Sequence, residues 1–173
     1  MKKLSLFTII ILTLAMSLCA CSDKSDSNNN KDNKDSVETE KPNKKEYSSL
    51  ADLYTDLEYS VEFTPMFEVT DEYALNLFGI DTTTLDDSVL YISEDVMSPD
   101  TVIIIKSSDA DKRAQIESLL KDYVDSKLIE LEDYNPENYD IVKECEVKTS
   151  KDYVYLIITK NIIDANEFMA NSI

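Results

Sequence analysis

Residues 88–106, SVLYISEDVMSPDTVIIIK, decide the fold. The two ends, SVLYIS (88–93) and TVIIIK (101–106), are apolar, β-branched runs of strand length, and Pro99 marks a loop between them. Val102–Ile105 is apolar without alternation. That pattern suits a central strand covered on both faces, or a short buried segment whose type periodicity alone leaves open. Further along, ECEVK (144–148) alternates, with Cys145 and Val147 on one face and acids on the other. DYVYLIIT (152–159) follows after the turn-prone TSKD, and the two runs read as a second hairpin. Cys145 reads as a small buried hydrophobe in that strand.

Between and around the strand pairs the apolar period changes to that of helices. Leu50, Leu53, Tyr54, Leu57 and Val61 fall on one stripe behind Ser48-Ser49 as N-terminal caps. Thr70-Asp71-Glu72 opens a short helix with acids in its first turn, and Gly79, the only glycine in the chain, stands where a left-handed cap is wanted. From Ser108 to about Glu132, residues Ile116, Leu119, Leu120, Tyr123, Val124 and Leu128 form the longest stripe, which Asn135-Pro136 breaks. A last short helix centres on Ala165, Phe168 and Met169. Two strand pairs, each followed by a helix, predict an α+β fold: an antiparallel four-stranded sheet with helices packed largely on one face.

The N-terminal third has a different composition. Met1-Lys2-Lys3 is followed by an almost wholly apolar run from Leu4 to Met16 that stops near Ala20, short of the ~20 residues that span a bilayer. A basic start, a short apolar run and small residues at its end describe an export signal over residues 1–20. Residues 22–46, SDKSDSNNNKDNKDSVETEKPNKKE, hold one valine and no aromatic residue. Such a segment cannot bury enough apolar surface to offset the entropy of ordering. Residues 21–46 therefore read as a tether with a reach of about 25–30 Å, and residues 47–173 as one domain. The tether is near neutral, with six lysines against seven acids, whereas residues 47–173 carry nine cations against twenty-eight acids.

Leu18-Cys19-Ala20-Cys21 is similar to the bacterial lipoprotein box, a leucine and two small residues before a lipid-bearing cysteine. By that resemblance Cys21 becomes the first mature residue, diacylated on its sulfur, and Cys19 leaves with the signal. A Cys-x-Cys metal or redox pair competes poorly, because such sites draw on further Cys and His, and the chain has no His and only Cys145 besides. A second resemblance runs through the domain. LFGID (77–81), YIS (91–93), VIIIKSSDADK (102–112), EDYNPENYDIV (132–142) and DYVYLIIT (152–159) follow in the order seen in lipoproteins of Gram-positive gut bacteria that end in domain of unknown function 4358. It covers roughly Phe67 to Phe168. The family often has a glycine in the last hairpin, where this chain has Ser150-Lys151. The resemblance implies an envelope lipoprotein of unassigned activity and supplies no catalytic residue.

The composition narrows the chemistry. Without His the usual base of nucleophilic hydrolases is missing. One glycine cannot build a phosphate loop or a dinucleotide fingerprint, and Arg113 is the sole arginine. A formal net charge of −18 repels nucleic acid. No cofactor is expected. The leading expectation is a lipid-anchored extracytoplasmic protein at the cell membrane, a non-enzymatic binding or scaffolding module for an envelope protein or cell-wall component. One alternative is a carboxylate-based glycan hydrolase, with acids set about 5–10 Å apart. Its site would lie in the acidic loop 132–140 with Tyr134, Glu137, Tyr139 and Asp140. Another is weak calcium binding by Asp81, Asp86, Asp87 and Asp95, acids flanking the first strand with the oxygen ligands calcium prefers.

Overall fold

The computed structural model describes residues 45–173. The export signal, the lipoprotein box with Leu18, Cys19, Ala20 and Cys21, and all but the last two residues of the tether lie outside the described residues. Elements appear in the order α1 (Leu50–Ser60), β1 (Met66–Glu68), α2 (Asp71–Phe78), β2 (Asp87–Ser93), β3 (Thr101–Lys106), α3 (Ala110–Leu131), α4 (Pro136–Lys143), β4 (Lys148–Ser150), β5 (Tyr153–Ile158) and α5 (Ile162–Ser172). The fold is α+β around one antiparallel sheet in the order β1-β2-β3-β5-β4.

Three features correct the reading from sequence. The sheet has five strands, because Met66–Glu68 adds an edge strand beside β2. The fourth strand is Lys148–Ser150 rather than 144–148, so Cys145 is buried just after α4 and not in a strand. Helices cover both faces. Tyr91, Val102 and Ile157 are partners across three strands and share one face, where Tyr54 of α1 stacks on Tyr91 at 3.8 Å between ring centroids. Thr101 and Ile158 point to the other face, and there Tyr123 of α3 lies beside Thr101. Val102 to Ile105 are accordingly all fully buried.

Local chemistry explains the helices. Ser49 caps α1 by accepting from Asp52 N, and Leu50, Leu53, Tyr54 and Leu57 are buried. Thr70 caps α2 at its start, and Gly79 ends it in the left-handed conformation at φ 71°. A Cβ at Gly79 would also meet Leu119 Cδ2 at 3.3 Å. Gly79→Ala is therefore expected to cost about 1–2 kcal/mol, read as a lower urea midpoint with an unchanged slope. The β4–β5 turn places Lys151 at φ 51°, the one non-glycine residue with positive φ among the described residues.

Burial of tyrosines gives the core a pH limit. Burial raises the phenol pKa of Tyr54, Tyr91, Tyr123 and Tyr155 above the usual 10.0. The folded state thus holds its phenolic protons longer than the unfolded one. Stability from these groups is full below about pH 10 and is lost as pH rises above it. Tyr54 Oη is buried without a hydrogen-bond partner among the described residues. Tyr54→Phe is expected to raise stability by about 1 kcal/mol at pH 7 and to soften the alkaline fall. Melting temperature measured from pH 7 to 11 checks both.

Candidate binding cleft

The strands set two poles. Leu50 N donates to Asp87 Oδ2 at 2.8 Å, so α1 starts beside the beginning of β2. Asp87 partners Lys106, which partners Tyr153, and a cavity of about 360 Å³ at this pole is lined by Lys45, Leu50, Lys106, Lys151 and the C-terminal Ile173. At the far pole lie the β2–β3 loop, the end of α1, the start of α4 and the β5–α5 turn. They enclose a cleft of about 470 Å³, continuous through Glu137, Ile141 and Lys160 with a second hollow of about 290 Å³.

Sequence fixes the walls of this cleft locally. Asp95 Oδ1 accepts from Met97 N at 2.9 Å and turns the β2–β3 loop back, while Ser93 Oγ accepts from Asp95 N at 3.0 Å. Asp100 is buried and accepts from Thr64 N at 2.8 Å and Thr64 Oγ1 at 3.0 Å. The Thr64 hydroxyl also lies 2.9 Å from Ser93 Oγ and 3.2 Å from Ser98 Oγ. Asp100 therefore clamps the segment after α1 to the loop, and a buried carboxylate is tolerated because donors surround it.

The opposite wall is α4, where the sequence suggested an acidic loop. Pro136 does not only end the long helix. It occupies the first turn of the next one, where its fixed φ suits helix initiation and its missing N–H costs nothing. Asn135 caps α4 by accepting from Asn138 N at 3.2 Å. Asn138 Nδ2 then donates to Met97 O at 2.6 Å and ties α4 to the β2–β3 loop. Asn161 Nδ2 donates to Glu62 O at 2.8 Å, and Lys160 pairs with Glu62 at 3.8 Å. These two contacts join the β5–α5 turn to the end of α1.

The acids expected to form sites are distributed unevenly. Glu137 and Asp95 line the same cleft, with Asp100 and Glu62. Asp140 lies in the adjoining hollow. Tyr134 is 74% exposed, and Tyr139 is half-buried with Lys143 Nζ 5.7 Å from its ring centre. The four aspartates of the calcium alternative are not brought together. Asp81 caps the 3-10 turn Thr82–Thr84 by accepting from Thr83 N, Asp86 accepts from Ser108 N at 2.6 Å, and Asp87 holds Leu50. Asp95 stands past the opposite end of β2, about 20 Å away at strand rise. Among the described residues no group of three or more His, Cys, Asp or Glu side chains could hold a metal ion.

Sequence reasoning missed Thr64, Ser93, Ser98, Asn138 and Asn161. Asn138 had one signal, its place three residues after an Asn-Pro start, where a capped first turn would put it.

Fold and cleft together define a single-sheet α+β domain with a polar cleft at the pole opposite its N-terminus. The chain belongs to the family described as domain of unknown function DUF4358, which matches residues 59–159, from the last turn of α1 to the residue after β5. No curated protein and no solved structure matches the chain. No helix among the described residues is long and apolar enough to cross a membrane.

Proposed function

We propose that the chain is a lipoprotein of the Gram-positive envelope, held on the extracytoplasmic face of the cell membrane by lipid on Cys21, and that its domain is a non-enzymatic binding or scaffolding module. Its partner would be an envelope protein or a cell-wall component. The observation that carries the address is Leu18-Cys19-Ala20-Cys21 at the end of a short apolar run. Two acyl chains suffice for stable residence where one is marginal. The binding role draws support from the cleft, in which Asp95 Oδ1 and Asp100 Oδ2 accept from backbone and hydroxyl donors of the fold. Carboxylates used in this way shape a recess rather than move protons.

The test is metabolic labelling with an alkyne fatty acid, followed by mass spectrometry of the mature N-terminus. Label on a peptide that begins at Cys21 supports the address, and an unlabelled chain that retains residues 1–20 removes it. One observation favours the hydrolase as a second reading: Glu137 shares its cleft with Asp95. Full glycan-hydrolysing activity in Glu137→Gln would remove that site.

A further inference from the structure

The far pole differs from the rest of the surface in two ways. Large apolar side chains that stand almost free of the protein collect there. Tyr59 (96% exposed) lies in the last turn of α1, Val96 (95%) in the β2–β3 loop, Ile129 (77%) near the end of α3, Tyr134 (74%) before α4 and Ile163 (78%) in the first turn of α5. On α2 and β1 no exposed apolar side chain exceeds 52%. Single exposed apolar residues are ordinary and larger patches mark interaction sites; the five most exposed large apolar side chains among the described residues all fall at this end.

Charge is the second difference. Residues 58–64, 93–100, 129–138 and 158–164, which build this pole, hold ten carboxylates and a single cation, Lys160. Lys160 is itself paired with Glu62. The exposed apolar side chains fall close in sequence to the two hydrogen bonds that join the elements of this pole. Tyr59 stands three residues before Glu62 and Ile163 two after Asn161, whose Nδ2 binds Glu62 O. Val96 adjoins Met97 and Tyr134 stands four residues before Asn138, whose Nδ2 binds Met97 O. The cleft at this pole is lined by Glu62, Asp95 and Glu137.

We infer that the far pole docks an extended, lysine- or arginine-bearing segment of a partner protein. Basic side chains enter the acidic cleft, and intervening apolar side chains rest on Val96 and Tyr134. Complementary charge favours this occupant over an anionic polymer, and desolvated aromatic and aliphatic anchors give such interfaces most of their affinity. The inference deepens the binding reading proposed above and rests on it.

The experiment titrates full-length mature protein, held in neutral detergent, into a labelled dodecapeptide of alternating lysine and valine at physiological salt. Its glutamate–valine counterpart and chitohexaose serve as comparison probes, and anisotropy is the readout. The lysine peptide is expected to bind and the other two are not. Val96→Ser/Tyr134→Ser, which leaves the charge unchanged, is expected to weaken binding at least about fivefold. Tyr73→Ser/Leu75→Ser, on exposed positions of α2, should change it less than about twofold. Equal effects of the two double variants, or none from either, would mean diffuse attraction to an acidic protein and would overturn the inference. Binding of chitohexaose alone, lost in Glu137→Gln, would overturn it in favour of a glycan while leaving the binding reading standing. If no probe binds, the far-pole inference fails, whereas the lipid address is judged separately by the N-terminal labelling.

Discussion

Cys21→Ala is expected to leave either a protein that moves from the detergent phase to the aqueous phase or an unprocessed one that retains residues 1–20. The expectation rests on magnitude. Each buried methylene of an acyl chain contributes about 0.8 kcal/mol, so two chains bind a membrane far beyond the reach of any single weak contact. Residues 47–173 offer no substitute. Residues 47–173 carry twenty-eight acids against nine cations and are repelled by anionic headgroups. Among the described residues no helix can span the bilayer. Detergent phase separation of wild type and variant reads the effect directly. Partition unchanged from wild type in a Cys21→Ala chain that has lost residues 1–20 would mean that something other than this lipid holds the chain.

Ile104→Ala should be among the most damaging truncations in the sheet. Ile104 is fully buried at the middle of β3, between Val89 of β2 and Tyr155 of β5, on the face that α1 covers. Removing its outer carbons loses their transfer free energy and leaves a cavity that strands paired on both sides cannot close. The cost is about 2–5 kcal/mol, a large share of the 5–15 kcal/mol that holds a typical domain together. Ile104→Val should cost only about 0.5–1.5 kcal/mol. Urea unfolding of both variants gives the comparison. Similar midpoints for Ala and wild type would show that β3 repacks more freely than its burial implies.

How much of this was legible depends on where the information resides. The stripes of α1 and α3, the Thr70 cap and the Gly79 stop are local chemistry, and each element formed where the residues indicate. The apolar run Val102–Ile105 already carried the two-sided burial that the structure confirms, although helices on one face were expected. β1 left no signal, because three residues with a half-buried and two exposed side chains do not alternate. Their strand character comes from pairing with β2. β4 is equally short and polar, and its edge position was hidden in a segment that reads as a turn. α4 was obscured by Pro136, a helix breaker within a helix but a helix starter in its first turn. Asp95 and Glu137 were visible as acids, but their meeting was not. It depends on a hydrogen bond between Asn138 and Met97, 41 residues apart.

The opposed poles also determine how the domain meets force. The chain enters beside Lys45 and Leu50, at the beginning of β2 and the end of β3, while the cleft opens at the other end of the same strands. A pull between a fixed N-terminus and a partner held in the cleft therefore runs lengthwise. It passes from α1 into the sheet across the buried row Leu50, Leu53 and Leu57 and leaves through the β2–β3 loop. Such a load shears the whole α1–sheet interface at once instead of peeling it residue by residue, and the ladder bonds, which lie across the strands, share it. If the anchor and the docked partner proposed above hold, failure of the domain under tension is a matter of unfolding rate rather than of equilibrium stability.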